Sequence, residues 1–153
     1  MVHKYQEQFE RMMRWYEHFQ KLDSGIEHTL ASENYQDMVF AFFMNCFHLK
    51  DWIKNDDTLS SKPDVEGFVR NTTSMQLCGD ICNGIKHLTL NRAPHSTENP
   101  KFGPRHYSVT VGGDETTIKI KWVIKTNSGD RDAFQLATDC VNEWKEFIKL
   151  IPQ

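Results

Sequence analysis

The chain has 153 residues, of which 39% are hydrophobic, as expected for one domain with its own core and not for a disordered protein. A general nucleic-acid binder usually has a surplus of Lys and Arg, because these residues contact phosphate groups. This chain has a formal net charge of −3 and therefore no such surplus. The polar, charged N-terminal residues predict no signal peptide, and no apolar stretch has the length of a membrane span.

Two long helices are predicted in the first third of the chain. Apolar residues recur at helical spacing in a first helix over 4–22. A second helix over 33–54 follows Ser32, a favourable capping residue. Apolar residues between 39 and 53 cover nearly its whole circumference, which is typical of a central helix surrounded by others.

Two further helices and a loop follow. Pro63 suits the first turn of a third helix over 63–70. A fourth helix is predicted over 73–88, with a capping residue at one of the positions 72–74. Three prolines and a glycine then predict a loop over 91–104.

Beyond this loop the apolar spacing changes from helical to alternating. The alternating residues flank a glycine pair and are Tyr107, Val109 and Val111, then Ile118, Ile120, Trp122 and Ile124. This pattern predicts a β-hairpin over 105–125 with one face buried. A two-stranded ribbon is barely stable alone, so we expect it to lie on the helices or to pair with another chain.

The last predicted element is a helix over 129–149 that Ser128 caps. The sequence therefore predicts a mainly α fold. It is a helical bundle of about five helices with one β-hairpin inserted before the C-terminal helix, in a single domain over 1–153.

The four cysteines predict buried thiols. Cys46, Cys78, Cys82 and Cys140 all fall in apolar helical patterns, where a free thiol behaves as a small hydrophobe. Cys78 and Cys82 stand one helical turn apart, which is not the spacing of a zinc knuckle. We therefore expect reduced thiols in a cytoplasmic protein, with no metal and no cofactor, and keep a metal site or a disulfide as the alternative.

Candidate chemistry lies in two polar clusters on the second and fourth predicted helices. His48 and Asp51 are one turn apart in an otherwise apolar region and could form a hydrogen-bonded pair. Asn83, Lys86 and His87 lie near the end of the fourth helix. Together the five residues could supply a general base, its orienting carboxylate and cationic stabilisers for phosphodiester or nucleotide chemistry.

A structural interpretation of the same residues stands beside the catalytic one. The polar stripe over 80–87 lies opposite the apolar arc of its helix, where a solvated face belongs. His48 would then be a core histidine whose partner is Asp51. Gly84 is unfavourable in mid-helix by up to about 1 kcal/mol relative to alanine, which indicates that another group approaches the backbone there.

Two strings, HLKDW at 48–52 and DICNGIKHL at 80–88, resemble those of small bacterial and phage-type proteins. The helical layout is similar to HEPN domains, which are helical bundles of toxins, phage-defence factors and RNA-cleaving enzymes. This resemblance covers 4–90 and 128–150 and omits the hairpin. It implies a protein that binds or cleaves RNA or a nucleotide, and it implies a homodimer.

Catalytic HEPN proteins carry an arginine, usually followed by a polar residue, and a histidine a few residues later. The formal counterpart in this sequence is Arg11 and His18, with Met12 where the polar residue is usual. The string at 83–87 could replace that motif, but it has no arginine and its lysine, Lys86, directly precedes the histidine instead of standing several residues before it.

Other interpretations remain open. The chain could be a non-catalytic interaction, immunity or regulatory module that pairs through the hairpin edge or a helix face. His48, Asp51 and His87 could form a metal site. Further candidate cations lie on the first helix and beside the loop, at Lys4, Arg11, Arg14, His18 and Lys21, and at Arg92, His95, Arg105 and His106.

Overall fold

The computed structural model describes residues 2–88 and 93–152. The elements within these residues are α1 (Lys4–Ser24), β1 (Ile26–Glu27), α2 (Ser32–Asn55), α3 (Val65–Asn71), α4 (Thr73–His87), β2 (Lys101–Gly112), β3 (Glu115–Thr126), β4 (Gly129–Asp132) and α5 (Ala133–Lys149). The protein is mainly helical, as predicted, but its strands form a four-stranded antiparallel sheet and not a lone hairpin.

The centre of the fold is α2. Its buried residues are Tyr35, Val39, Phe42, Phe43, Cys46, Phe47, Leu49 and Ile53. The helices α1, α3, α4 and α5 all contact it, and the Phe40 ring meets Phe102 and Trp122 of the sheet. The prediction of a central helix is thus confirmed, but α2 is not surrounded on every side, because Asp37, His48 and Asp51 are exposed. In the described part of the chain, no helix has both the length and the apolar character needed to cross a membrane.

The sheet is built around β3, which pairs with β2 on one side and with β1 and β4 on the other. Ile118 is opposite both Ile26 of β1 and Val109 of β2. One face of β3 is buried against the helices through Ile118, Ile120, Trp122 and Ile124. In the part of the chain that the structure describes, β2 pairs with β3 alone, so its other edge is free.

The prediction of one buried hairpin face is wrong for β2. Tyr107, Val109 and Val111 share a face with the buried residues of β3, yet they are 39%, 52% and 79% exposed. The physical reason lies in the helices, because α1 and α5 contact the sheet at β3. The distal half of β2 is therefore left uncovered.

The start of α5 also differs from the prediction. Residues 129–132 form β4, which pairs with residues 123–126 of β3, so the helix begins at Ala133 and not at 129. Asp132 caps the helix and accepts a hydrogen bond from the Gln135 N–H at 2.9 Å, a role predicted for Ser128. Asp130 forms an ion pair with Lys125 at 2.8 Å instead of lying in a first helical turn.

Two earlier helix starts are shifted by smaller amounts. Ser32 is the first residue of α2 and not its cap, which is Ala31. The third helix begins at Val65, and Asp64 caps it by accepting a hydrogen bond from the backbone N–H three residues on at 2.9 Å. Pro63 therefore stands just outside the helix.

The buried carboxylate of Asp56 joins the end of α2 to the start of α1. It accepts hydrogen bonds from the Tyr5 N–H at 2.8 Å, the Thr58 N–H at 2.9 Å and the Thr58 hydroxyl at 2.6 Å. Burial raises the pKa of Asp56, but these hydrogen bonds outweigh burial and bring the pKa below its usual range. The charged carboxylate thus holds the first turn of α1, whose N–H groups have no partner inside the helix.

We expect Asp56→Ala to lower the free energy of unfolding by about 1–3 kcal/mol at pH 7, because buried donors lose their acceptor. The folded-state pKa is depressed, so this contribution is full above the ordinary aspartate value of 3.8 and is lost as the pH falls below it. Thermal unfolding of wild type and variant between pH 7 and 3 measures the difference. The exposed neighbour Asp57 supplies the control, since Asp57→Ala removes only a surface ion pair with Lys4. Equal losses for the two variants would contradict this role.

Candidate functional site

The structure places the predicted site residues on two helices. His48 and Asp51 lie on α2, and Asn83, Lys86 and His87 lie on the last turns of α4. His48, Asp51 and Lys86 are exposed, whereas Asn83 and His87 are half-buried. Within the described residues, no hydrogen bond or ion pair joins any of the five to another. The predicted His48–Asp51 pair is therefore not formed, and Asp51 has an ion pair with the adjacent lysine at 3.6 Å.

One electrostatic link joins the two clusters. Asp51 of one cluster and Lys86 of the other both act on the Cys82 thiol of α4. Burial, Cys46 and Asp51 raise the pKa of Cys82 and Lys86 lowers it, which brings the pKa to about 11.

The glycine that another group approaches is Gly79 and not Gly84. A Cβ atom at Gly84 would meet nothing within 4 Å. A Cβ atom at Gly79 would lie 2.7 Å from a ring carbon of Phe47 and 2.7 Å from a ring carbon of His95. The close approach inferred at Gly84 is therefore wrong, and the close approach on α4 is at Gly79, where α2 and the loop meet the helix.

Asp80 is a structural carboxylate and not part of a solvated stripe. It is only 1% exposed and accepts hydrogen bonds from the His95 N–H at 2.6 Å, the Ser96 N–H at 3.0 Å and the Ser96 hydroxyl at 2.6 Å. The His95 ring packs edge-on against Phe47, with the ring centroids 5.2 Å apart. These contacts attach the loop around 95–96 to α4.

Two of the other candidate cations, Arg11 and Arg105, have local partners. Arg11, the arginine of the formal HEPN match, pairs with Glu7 at 2.6 Å and lies over the Trp52 ring at 5.4 Å. Arg105 hydrogen-bonds Gln36 and lies over the Trp122 ring at 5.1 Å. Arg92 lies outside the described residues.

Two open pockets of about 500 Å³ occur elsewhere on the surface. The largely apolar one is lined by Gln36, Phe40, Ile81, Gly84, Ile85, Leu88, Pro100, Lys101 and Phe102. The polar one is lined by Asn71, Thr72, Thr73, Ser74, Arg131, Asp139, Asn142 and Glu143. Neither pocket is lined by any of the five predicted site residues.

A cluster that the sequence analysis missed lies at the centre of the core. Cys46 of α2, Cys78 of α4 and Cys140 of α5 are fully buried, and their sulfur atoms all lie within 4.8 Å of one another. Sequence spacing could not reveal this three-thiol cluster, because its members come from three separate helices. The only available signal was that each cysteine lies on the apolar face of its helix.

The three thiols differ in their electrostatic environment. Burial raises the pKa of Cys46, but its contacts with Cys140, Cys78 and Trp144 outweigh burial and bring the pKa to about 5. Burial raises the pKa of Cys78 well above the usual thiol value, and contact with Cys46 does the same for the pKa of Cys140. The Cys78 and Cys140 thiols donate their S–H groups to the carbonyl oxygens of Phe43 and Ser74, at 3.5 and 3.4 Å.

Comparison with known proteins adds no relative to this picture. No protein-family model, no curated protein and no solved structure matches the chain. The resemblance to HEPN domains therefore stays a prediction from the sequence. The basis for a proposed function is the geometry of this chain.

We expect Asp80→Ala to destabilise the protein, because three donors of the 95–96 loop lose their common acceptor. The loss is about 1–3 kcal/mol for each donor that stays buried without a partner. Asp51→Ala, which removes an exposed carboxylate, should stay within about 0.5 kcal/mol of wild type. Chemical denaturation measures both variants, and limited proteolysis locates the opened loop. A wild-type midpoint for Asp80→Ala would show that the carboxylate does not hold the loop.

Proposed function

We propose that this protein is a non-catalytic interaction module that pairs through the free edge of β2, and that its partner is a second copy of the same chain. The observation that carries this proposal is the uncharged distal half of β2. Residues 107–112 read Tyr-Ser-Val-Thr-Val-Gly, lie on an edge strand and expose three apolar side chains.

An edge strand presents unpaired N–H and C=O groups that pair readily with another strand. Proteins usually protect such edges with charges, prolines or bulges. The proximal part of β2 has all three kinds of protection, with Lys101 and Arg105, Pro104, and a register shift between Phe102 and Arg105. The segment 107–112 has none of them. Its sequence is rich in β-branched residues, which favour strand pairing.

Apolar side chains beside this edge extend the same surface. Leu30, in the connection before α2, is 41% exposed. Together with Tyr107, Val109 and Ile118 it lines a shallow depression that also includes His28. Added strands align their side chains with those of the sheet, so a partner strand on β2 would pair with the backbone edge and place its own apolar side chains beside the exposed ones.

A second copy of the chain can supply a matching strand for this edge through two-fold symmetry. Two β2 strands related by a two-fold axis can pair antiparallel, and each then offers the other the same uncharged segment. No like charges face each other in such a pair, because 107–112 contains none. The homodimer implied by the HEPN resemblance is, in this proposal, formed through the sheet.

We expect the wild-type protein to dimerise with increasing concentration and Val109→Lys to be monomeric, because the lysine places two like charges across the paired edge. Val2→Lys is the matched control, since Val2 is 81% exposed and lies outside the sheet. Sedimentation velocity over a hundredfold range of about 1–100 µM separates the species, as it spans the usual affinities of small interfaces.

Two results would contradict the proposal. One is a wild-type protein that stays monomeric at every concentration. The other is a Val109→Lys variant that dimerises as well as wild type and Val2→Lys.

RNA or nucleotide binding by a HEPN-like surface is the second candidate function. What favours it is that Asp51 of one cluster and Lys86 of the other are both exposed and both act electrostatically on the Cys82 thiol. Lys86 would contact phosphate, Asn83 a base or sugar, and His87 would act as the acid or base, with His48 and Asp51 in support. The polar edges of these side chains are available to a ligand.

We expect, under this second candidate, that Lys86→Ala weakens binding of a short labelled single-stranded RNA by about tenfold, or ~1.4 kcal/mol. His87→Ala should abolish any cleavage while leaving the melting temperature unchanged. Fluorescence anisotropy at a fixed salt concentration measures binding, and Lys149→Ala on the exposed end of α5 is the control. Wild-type protein that neither binds nor cuts the RNA would rule this candidate out.

For both candidate functions we expect the protein to act in the cytoplasm. Cys46, Cys78, Cys82 and Cys140 are free thiols in the structure, which suits a reducing compartment.

A further inference from the structure

The three-thiol cluster of Cys46, Cys78 and Cys140 has the composition of a metal site. Each sulfur comes from a different helix, and all lie within 4.8 Å of one another in a fully buried position. We propose that this cluster binds one Cu(I) ion per chain, held by sulfur ligands alone.

The ligand set selects among soft ions. Thiolate sulfur favours Cu(I), zinc and iron–sulfur clusters over hard cations such as magnesium or calcium. Structural zinc is almost always bound by four ligands in a tetrahedron, and iron–sulfur clusters are usually held by four cysteines. The group described here contains three sulfurs and no histidine or carboxylate. Cu(I) is satisfied by two or three sulfur ligands, so it fits the number and the type of donors.

The helices around the cluster position the three sulfurs before an ion arrives. The Trp144 ring is fully buried, and its N–H donates to the Cys46 carbonyl oxygen at 3.1 Å, which joins α5 to α2 beside the cluster. The Cys78 thiol of α4 donates to the Phe43 carbonyl oxygen of α2, and the Cys140 thiol of α5 donates to the Ser74 carbonyl oxygen of α4. Little rearrangement is needed for the sulfurs to converge on one ion, which lowers the entropic cost of binding.

Binding is a proton-for-metal exchange without a redox step. Each thiol that coordinates as a thiolate breaks its S–H bond, forms a S–Cu bond and releases one proton to solvent. Copper stays Cu(I), and no sulfur is oxidised. The surrounding core is apolar, which keeps water and oxygen ligands away from the ion and favours the sulfur-only coordination.

Cys82 provides a matched control within the same helix. It lies one turn beyond Cys78 on α4, is 6% exposed and does not belong to the group of three sulfurs. Cys82→Ser therefore removes a thiol of similar burial without touching the proposed ligands.

The test is an anaerobic titration of the reduced protein with Cu(I) in competition with a chromophoric Cu(I) chelator. We expect one Cu(I) per chain for wild type and for Cys82→Ser. Cys46→Ser, Cys78→Ser and Cys140→Ser should each lose affinity by about tenfold or more. Circular dichroism first establishes that each variant is folded, and X-ray absorption on the loaded wild type should show sulfur neighbours only.

Wild-type protein alone provides a second measurement that does not depend on the variants folding. One equivalent of Cu(I) should raise the melting temperature, because the folded core has a preformed site for the ion and the unfolded chain has none. An unchanged melting temperature overturns the proposal. Three other results would overturn it as well. They are loss of Cu(I) binding in Cys82→Ser, Cu(I) binding by a variant that lacks all three core thiols, and displacement of Cu(I) by equimolar Zn(II).

Discussion

A helix with a wide apolar face has to be covered by other elements, and α2 imposes this requirement on the rest of the chain. Its buried residues, from Tyr35 to Ile53, form that face, whereas Asp37, His48 and Asp51 are exposed on the other side. Four helices and the base of the sheet supply the cover. Burial of apolar area is the main favourable term in folding, so the other elements pack where they cover the apolar residues of α2.

This arrangement has one consequence at the core and another at the edge. At the core, the helices that meet around α2 bring three cysteines into contact. At the edge, α1 and α5 contact the sheet at β3, so the distal half of β2 projects without a cover. The polar residues predicted to be catalytic lie at exposed or half-buried positions of α2 and α4, outside the core. They are His48, Asp51, Asn83, Lys86 and His87. Within the described residues, three of the seven exposed large apolar side chains, Tyr107, Val109 and Val111, lie together on β2.

The sequence predicts the elements whose signals are local. Helical periodicity predicts α2, and alternation predicts the paired strands around the glycine turn. It does not predict β4, because the acidic residues of Gly129–Asp132 are equally typical of a helix start, and only pairing with β3 makes them a strand. The burial of Asp80 depends on Ser96, 16 positions further on, and the thiol cluster depends on three helices. Such long-range contacts leave no spacing pattern in the sequence.

Pairing of β2 with a second copy would protect the amides on its free edge. Amide hydrogen exchange of the wild-type protein, followed residue by residue at a low and at a high concentration, measures this protection. We predict that amides within 107–112 that point away from β3 exchange fast in dilute protein and slowly in concentrated protein, while those of β3 do not change. Exchange in 107–112 that is equally fast at both concentrations would contradict the claim.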